Sequence, residues 1–582
     1  MMKKNCLLSV FIVFAFGTFA QKSDAESDKL KTVSYDQLET GGELRTRILK
    51  NFDRLEETKY QPANVFLTDK QSGNWPGDTE GRTILALVLD ARSSHREPKY
   101  LKEIIDLIPQ KLNSKGYMGQ IFPAGTMDEQ QLSGNGWMLR GLCEYYAWKK
   151  DEKVLKIVKS IIKNLFIPGK GYYKIYPIDP KDRNLKIGEA MGTIDRKVGN
   201  WMLSTDIGCL FIGMDGAIQA LQYIPDKELK VVIDEMVLRF LQIDLVAIKA
   251  QTHATLTALR GLLRYAEMTG KKELVGEASK RWELYKSFGM TENYANYNWF
   301  TRYEASTEPC AIVDAYMVAA QLWISTRDPQ YLPYLDLIYY NAICHGQREN
   351  GGFGCDKFLS PNINTIIVSI PEAHWCCTMR GGEGLSKVAE YSYFTNQNSL
   401  YVVHFVDGKV KASFSKDVFM TMVQKTQYPF SGAVNLTIAE AKNAKTIAIR
   451  LNALTQWTEN SKTFINGVEV PVVIQNGFIT LTHDWKPNDE IKYVFENKIH
   501  LEKPLNKVHY SDQLNKVLCG PLLLGYPGKE TAQIGSVSQI KQISPTRFGV
   551  KNTNVELSPL YHLMSKEVVK GDGYKKQILF KF

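Results

Sequence analysis

No tract of lysine or arginine interrupts this 582-residue sequence, although Lys and Arg together outnumber Asp and Glu by 72 to 62. The basic excess is spread along the chain. That excludes the clustered patch a nucleic-acid surface requires and fits an anionic substrate or none. The first apolar run is not a spanning helix either. The apolar run in "MMKKNCLLSVFIVFAFGTFA" is shorter than the ~20 residues needed to cross a bilayer. It follows Lys3 and Lys4 and ends on small residues at Thr18 and Ala20, which predicts an export signal over residues 1–20 with cleavage before Gln21. Cys6 stands ahead of the run, so no lipid-bearing cysteine is expected at its end. The mature protein is expected to be periplasmic or secreted, without a stable membrane anchor. Loss of Lys3 and Lys4, the only charges in that segment, takes the formal net charge from +10 to +8.

A disulfide framework is lacking too. Nine cysteines become eight after cleavage, and they are not spaced as staples. Cys143 in "GLCEYY", Cys209 in "DIGCLFIG" and Cys519 in "KVLCGPLLLG" sit in apolar patterns and read as small buried hydrophobes. Cys344 and Cys355 flank the Gly-rich "HGQRENGGFG" and are a candidate pair, although sequence cannot fix connectivity. Cys310, Cys376 and Cys377 need another explanation. Cys376 and Cys377 are adjacent in "HWCCTMRGGEG". Their Cα atoms lie about 3.8 Å apart, below the roughly 4.4 Å at which ordinary disulfides begin.

What is present is a change of period. From about residue 40 to 395, amphipathic segments such as "TLTALRGLLRYAEMTG" and "KKELVGEASKRWELYKSF" alternate with Gly/Pro/Asn loops. About eleven or twelve such segments occur, often as antiparallel pairs and without a strict sequence repeat. Helices packed in pairs predict an (α/α)6 toroid over residues 21–395, with an open solenoid as the alternative. After about residue 396 apolar and polar residues alternate between turn signals such as Asn466-Gly467 and Asn476-Gly477. One or two β-sandwiches are expected over residues 396–582. The fold class is therefore a multidomain α+β chain, with an all-α N-terminal region followed by β-sandwich.

The chemistry-bearing stretch is "TENYANYNWFTRYEASTEPC", which holds Glu292, Glu304, Glu308 and Cys310. Glu308-x-Cys310 and Cys376-Cys377 could together supply one carboxylate and three thiolates, a tetrahedral shell suited to zinc. Metal-bound thiolates form disulfides poorly, which accounts for adjacent cysteines in an exported chain. The alternatives are a purely structural zinc or buried thiols. Glu292 precedes Glu308 by 16 residues, in an aromatic and amide-rich context typical of sugar-binding clefts.

These residues resemble glycoside hydrolase family 127, whose members share Glu-x15-Glu-x-Cys followed far downstream by Cys-Cys. Later segments, "FINGVEVPVVIQNGFITLTHDWKPNDEIKYVF" and "NKVLCGPLLLGY", are similar to that family's sandwich patterns. The resemblance implies a retaining furanosidase with Glu308, Cys310, Cys376 and Cys377 as zinc ligands, Cys376 as nucleophile and Glu292 as general acid/base. Attack of a thiolate on an anomeric carbon, followed by hydrolysis, gives two displacements and net retention. His253 in "QTHATLTALRG" looks like one of the family's sugar-binding histidines. Histidine is absent from "NGWMLRGLCEYY" and "FIGMDGAIQAL", where others would be expected. Arg302 and Arg380 lie beside the ligand motifs, and arginine forks suit carboxylates. The expected substrate is therefore a terminal furanose of a plant polysaccharide such as pectic rhamnogalacturonan II, an acidic sugar such as aceric acid being placed ahead of L-arabinofuranose. A polysaccharide lyase with Tyr294 or Tyr297 as base is one alternative. A non-catalytic glycan-binding protein with structural zinc is another.

Overall fold

The computed structural model describes residues 29–66, 75–185, 192–359, 364–505, 513–528, 531–562 and 575–582. The expected export signal lies outside them. Among the described residues no helix is long and apolar enough to cross a membrane.

The helical region is built from twelve principal helices: α1 Gly42–Leu55, α2 Asp78–Ser94, α3 Leu101–Lys111, α4 Glu129–Lys149, α5 Glu152–Ile161, α6 Leu210–Leu221, α7 Lys227–Leu241, α8 Thr252–Thr269, α9 Lys272–Phe288, α10 Pro309–Thr326, α11 Leu332–Ile338 and α12 Cys377–Glu390. The even-numbered helices pack side by side in the order α2, α4, α6, α8, α10, α12, and α12 returns to α2. That closure makes a ring. Each odd-numbered helix lies against at least one even neighbour on the outside, so the arrangement is the expected toroid and not an open solenoid.

Sequence pattern explains which helix goes where. The inner helices, such as "PCAIVDAYMVAAQLWIST", are buried nearly all round, whereas outer ones such as "EKVLKIVKSI" bury one stripe. The inner ring closes tightly because glycines sit at the crossings. A Cβ on Gly81 of α2 would come within 2.3 Å of the Trp137 backbone on α4. One on Gly216 of α6 would meet the Gly136 carbonyl of α4 at the same 2.3 Å.

The β region begins where the period changes. A six-stranded and a seven-stranded sheet form the middle sandwich, and a further seven-stranded sheet, one strand of which pairs off its main row, follows from Ile499. In the strand Ala433–Lys442, Val434, Leu436 and Ile438 alternate inward, and Val434 pairs with Tyr493 of Glu490–Asn497. The two Asn-Gly turns behave as read: Asn466, Gly467, Asn476 and Gly477 all take positive φ, the requirement of a type I′ hairpin.

The division near residue 395 is crossed twice. Lys31–Thr32 pairs with Tyr393–Thr395, and Leu38–Thr40 pairs with Gly408–Ser415, so the N-terminal segment completes both sandwich sheets. At the other end Lys575–Gln577 adds to the hairpin strand Thr365–Ile370, which precedes α12. These pairings involve two or three residues each, too few for an alternating pattern to be visible in sequence.

Candidate functional site

All six inner helices begin at the same end of the ring, and the chemistry-bearing residues gather there. Gln251, Glu308 and Cys376 occupy the N-cap positions of α8, α10 and α12, yet none of their side chains caps its own helix. They face instead a cavity of about 560 Å³ whose lining includes Asp78, Glu80, Asp206, His253, Trp375 and Cys377. Helix N-termini carry positive partial charge, which favours carboxylates and thiolates there.

At its floor the Cys310 and Cys377 sulfurs lie 3.8 Å apart, and those of Cys376 and Cys377 3.2 Å apart. The ligand atoms of Cys310, Cys376 and Cys377 fall within 4.8 Å of one another, as do those of His253, Glu308 and Cys310. Cys310 and Cys377 are wholly buried, whereas Cys376 keeps some exposure to the cavity. Burial pushes the Cys310 and Cys377 thiols well above their usual range. A cation among them is what would restore thiolate character. The donor set therefore fits a soft divalent metal.

The surroundings hold this cluster in place. Arg82 donates to the Cys310 sulfur at 3.2 Å and grips both oxygens of Asp78 at 2.8 Å. Its guanidinium lies 4.3 Å from the centre of the Trp137 ring, which stacks on His253 at 5.8 Å. His253 Nδ1 sits 3.1 Å from Glu308 Oε1, and Gln251 Nε2 donates to Glu308 Oε2 at 3.5 Å. Burial alone would raise the Glu308 carboxyl, but His253 and Arg82 outweigh it and hold it below the usual carboxylate range. His253 does line the cavity. Its contacts make it the support of Glu308 as well as a group that could meet a sugar.

Three expected site residues stand elsewhere. Glu292 is fully buried and outside the cavity lining, its Oε2 accepting from the Leu505 amide at 2.9 Å with Lys516 Nζ at 3.9 Å. Arg380, one helical turn into α12 from Cys377, points into the ring interior, where it pairs with Asp314 and Glu383. Arg302 is almost fully buried, donates to the Leu185 carbonyl at 2.9 Å and lies 5.0 Å from the Trp299 ring centre. Neither arginine lines the cavity. The Cys344–Cys355 pair is not formed: both thiols are free. Cys344 lies at the charge of Arg47, while Cys355 lines the cavity against Cys377. The alternative lyase bases are also displaced. Tyr294 bonds to Glu502 and Lys516, Tyr297 packs edge-on against Tyr303, and neither reaches the cavity.

Sequence reasoning missed Asp78, Glu80, Arg82, Asp206, Cys355 and Trp375. Trp375 stood in plain view beside the paired cysteines. Asp206 had only the turn signal of "STDIG" ahead of α6.

Residues 399–497 match the sequence model described as "Beta-L-arabinofuranosidase, GH127 middle domain". No curated protein sequence matches the chain. Among solved structures, a GH127 beta-arabinofuranosidase superposes with a TM-score of 0.69 at 14% identity, covering 95% of this chain and 98% of that one. Ara127N, a GH127 beta-L-arabinofuranosidase from Geobacillus stearothermophilus T6, gives 0.68 at 13% identity, covering 94% and 99%. A structure described as a glycoside hydrolase gives 0.70 at 12% identity, covering 96% and 98%.

Proposed function

We propose that this chain, whose middle domain belongs to glycoside hydrolase family 127 and whose fold is that of the family's solved members, releases a terminal furanosidic sugar with Cys376 as nucleophile. It is a glycoside hydrolase, and the furanose preference follows its arabinofuranosidase relatives. The observation that carries the reading is the three-thiol cluster with Glu308 at the floor of the cavity, where the inner helices begin.

Glu308, Cys310, Cys376 and Cys377 are the residues that would hold zinc. A tetrahedral zinc with bonds of about 2.3 Å to sulfur separates its sulfurs by about 3.8 Å; the Cys310–Cys377 spacing is 3.8 Å, whereas Cys376 and Cys377 stand closer, at 3.2 Å. Bound there, zinc would keep the thiols ionised at neutral pH. Cys376 and Cys377 both line the cavity, but Cys376 alone of the three thiols keeps exposure, so its sulfur attacks the anomeric carbon. The C–S bond forms as the glycosidic C–O bond breaks, and water then displaces the sulfur, with retention overall. His253 and Gln251 fix the orientation of Glu308.

The sugar is neutral in this reading, with L-arabinofuranose the leading candidate. Two of the grounds for an acidic sugar, Arg302 and Arg380, serve other partners. The cavity itself holds Asp78, Glu80, Asp206 and Glu308 against Arg82, itself bound to Asp78. That balance repels a carboxylated ligand. An exported chain with a mature charge of +8 suits an anionic plant polysaccharide such as pectin as the source of the sugar.

The test is product analysis on pectic oligosaccharides and synthetic furanosides, with elemental analysis of protein purified without added metal. Arabinose release, abolished by a chelator and restored by zinc, is expected. Active protein free of zinc, or release of an acidic sugar in preference, overturns the corresponding part of the reading.

A further inference from the structure

Four side chains of the cavity wall keep a wholly buried polar atom without a hydrogen-bond partner among the described residues: Asp206 Oδ1, Gln251 Oε1, His253 Nε2 and Asn298 Oδ1. His253 Nε2 turns towards Asp314, 3.5 Å away. The Asp206 carboxyl, raised by burial to about 7, donates or accepts according to its proton. Gln251 and Asn298 are different, because a carboxamide oxygen only accepts. Both residues are more than nine-tenths buried. Their main chains form one surface: the Gln251 amide donates to the Ile207 carbonyl at 2.9 Å, the Thr252 amide to the Asn298 carbonyl at 3.0 Å, and the Asn298 amide to the Ser306 carbonyl at 3.2 Å. The other end of Gln251 fixes which atom is left over. Its Nε2 donates to Glu308 Oε2 at 3.5 Å, and reversing the amide would set oxygen against carboxylate.

We propose that Gln251 and Asn298 determine specificity by accepting hydrogen bonds from hydroxyls of the sugar, an inference that deepens the furanosidase reading and rests on it. A buried acceptor left unmet is costly, so two of them on one cavity wall select a ligand that brings donors to both. A neutral sugar does so through its O–H groups. A carboxylate placed there would meet two oxygens with oxygens of its own. A deoxy sugar would leave one acceptor unmet, and sites built to bond a hydroxyl reject analogues that lack it far more strongly than apolar pockets reject a missing methylene. Gln251 also gives the sugar its register. One end of the side chain takes the hydroxyl and the other holds Glu308, whose cluster includes Cys376, so the sugar ring is placed relative to the nucleophile through a single carboxamide.

The experiment measures kcat/KM on p-nitrophenyl L-arabinofuranosides of both anomeric forms and on their 2-, 3- and 5-deoxy analogues, with zinc content and melting temperature beside it. The proteins are the native chain, Gln251→Lys and Asn298→Ala. Lysine keeps a donor for Glu308 and has no acceptor; Gln251→Leu makes the same comparison should the lysine variant not fold. Setting each variant against the native chain on the same substrate pair cancels the intrinsic reactivity of the deoxy sugar. The native chain should disfavour at least one deoxy analogue by about 10–100-fold. That preference should shrink to within about twofold in each variant for the hydroxyl its residue meets, in protein that retains zinc. A native chain that accepts all three analogues as well as the parent overturns the proposal, and needs no variant to do so. Preferences unchanged in both variants also overturn it. Zinc-loaded native protein that cleaves neither anomer of the parent furanoside would instead overturn the reading on which the proposal rests.

Discussion

Two groups of buried charge lie one helical turn apart inside the ring, and they are built on opposite terms. In the deeper group Arg140, Arg260, Arg264 and Arg380 interlock with Asp215, Asp314 and Glu383. Examples are Arg260 Nη1 to Asp314 Oδ1 at 2.7 Å, Arg140 Nη2 to Glu383 Oε1 at 2.6 Å and Arg264 Nη1 to Asp215 Oδ1 at 2.7 Å. Burial foremost raises the Asp314 carboxyl, but Arg380 and Arg260 overcome it and hold it far below the usual range. At the cavity floor three thiols and Glu308 face one another, with Arg82 already committed to Asp78. Burial is common to both groups, whereas in the deeper one every charged side chain has an ion-pair partner of opposite sign. The deeper network is a scaffold because each charge is answered within the chain. The shallower one is a site because its thiols and carboxylate form a donor set that fits a metal and opens onto the cavity. His253 joins them, with Nδ1 on Glu308 and Nε2 3.5 Å from Asp314.

The sharpest way to break this contrast is to remove one member from each side. Cys376→Ser should lower turnover on the order of 10⁴-fold, as loss of a nucleophile does in other covalent enzymes, while the fold persists. Steady-state kinetics on a synthetic furanoside, beside a thermal melt, reads both. Residual activity within tenfold of the native enzyme would remove Cys376 from the chemistry. Glu383→Gln should do the reverse. Arg140, Arg260 and Arg380 would each lose an ionised partner, and breaking buried pairs costs about 3–5 kcal/mol. The melting temperature should fall steeply, with kcat and KM of the folded fraction little changed. A kinetic defect without destabilisation would make the network part of the site.

The same contrast explains what the sequence disclosed. Glu308, Cys310, Cys376 and Cys377 were legible because two dense motifs carry them, and each motif ends at a helix start that delivers its residues to one place. Arg380 misled for the complementary reason. Three residues beyond Cys377 is nearly one turn of α12, so a neighbour in sequence stands one turn deeper in the ring. Asp206 and Cys355 were invisible because only closure of the ring and the hairpin before α12 bring them to the cavity. The outer helices showed their number through amphipathic stripes, and the sandwich showed itself through alternation and two Asn-Gly turns. The short N-terminal strands carried no pattern and so gave no sign of crossing the boundary.

Asp206 offers a subtler test, because a buried carboxyl with one oxygen lacking a hydrogen bond carries a stability penalty. An aspartate in an unfolded chain loses its proton near ~3.9, whereas burial raises Asp206 to about 7 in the folded chain. Between those values the native state binds a proton that the unfolded state lacks. Its contribution to stability is therefore present at low pH and is lost as pH rises through that window. Asp206→Asn should consequently melt higher than the native protein at pH 8, by about 2 kcal/mol, and show no such gain at pH 4. Equal melting at both pH values would place Asp206 among the satisfied carboxylates of the scaffold.

The smallest expected effect concerns the mouth of the cavity. Trp375 adjoins Cys376 and remains 46% exposed, with its ring set edge-on to His374 at 5.1 Å. Trp75, on the same cavity, is fixed by an Nε1 bond to the Gly192 carbonyl at 2.9 Å. A large exposed ring beside a nucleophile gives up little when a sugar face covers it, and covering it releases water from apolar surface. That contact exists equally in bound substrate and transition state, so it acts on binding and not on the chemical step. Trp375→Ala should raise KM about fivefold to tenfold, the equivalent of about 1 kcal/mol, with kcat within twofold. Because the ring is half out of the protein, the melting temperature should barely move. A fall in kcat at unchanged KM would instead show that the indole holds the Cys376 turn in position. Trp375 would then join Arg82 and His253 as part of what fixes the sulfur cluster, and the line between site and scaffold would shift outward by one residue.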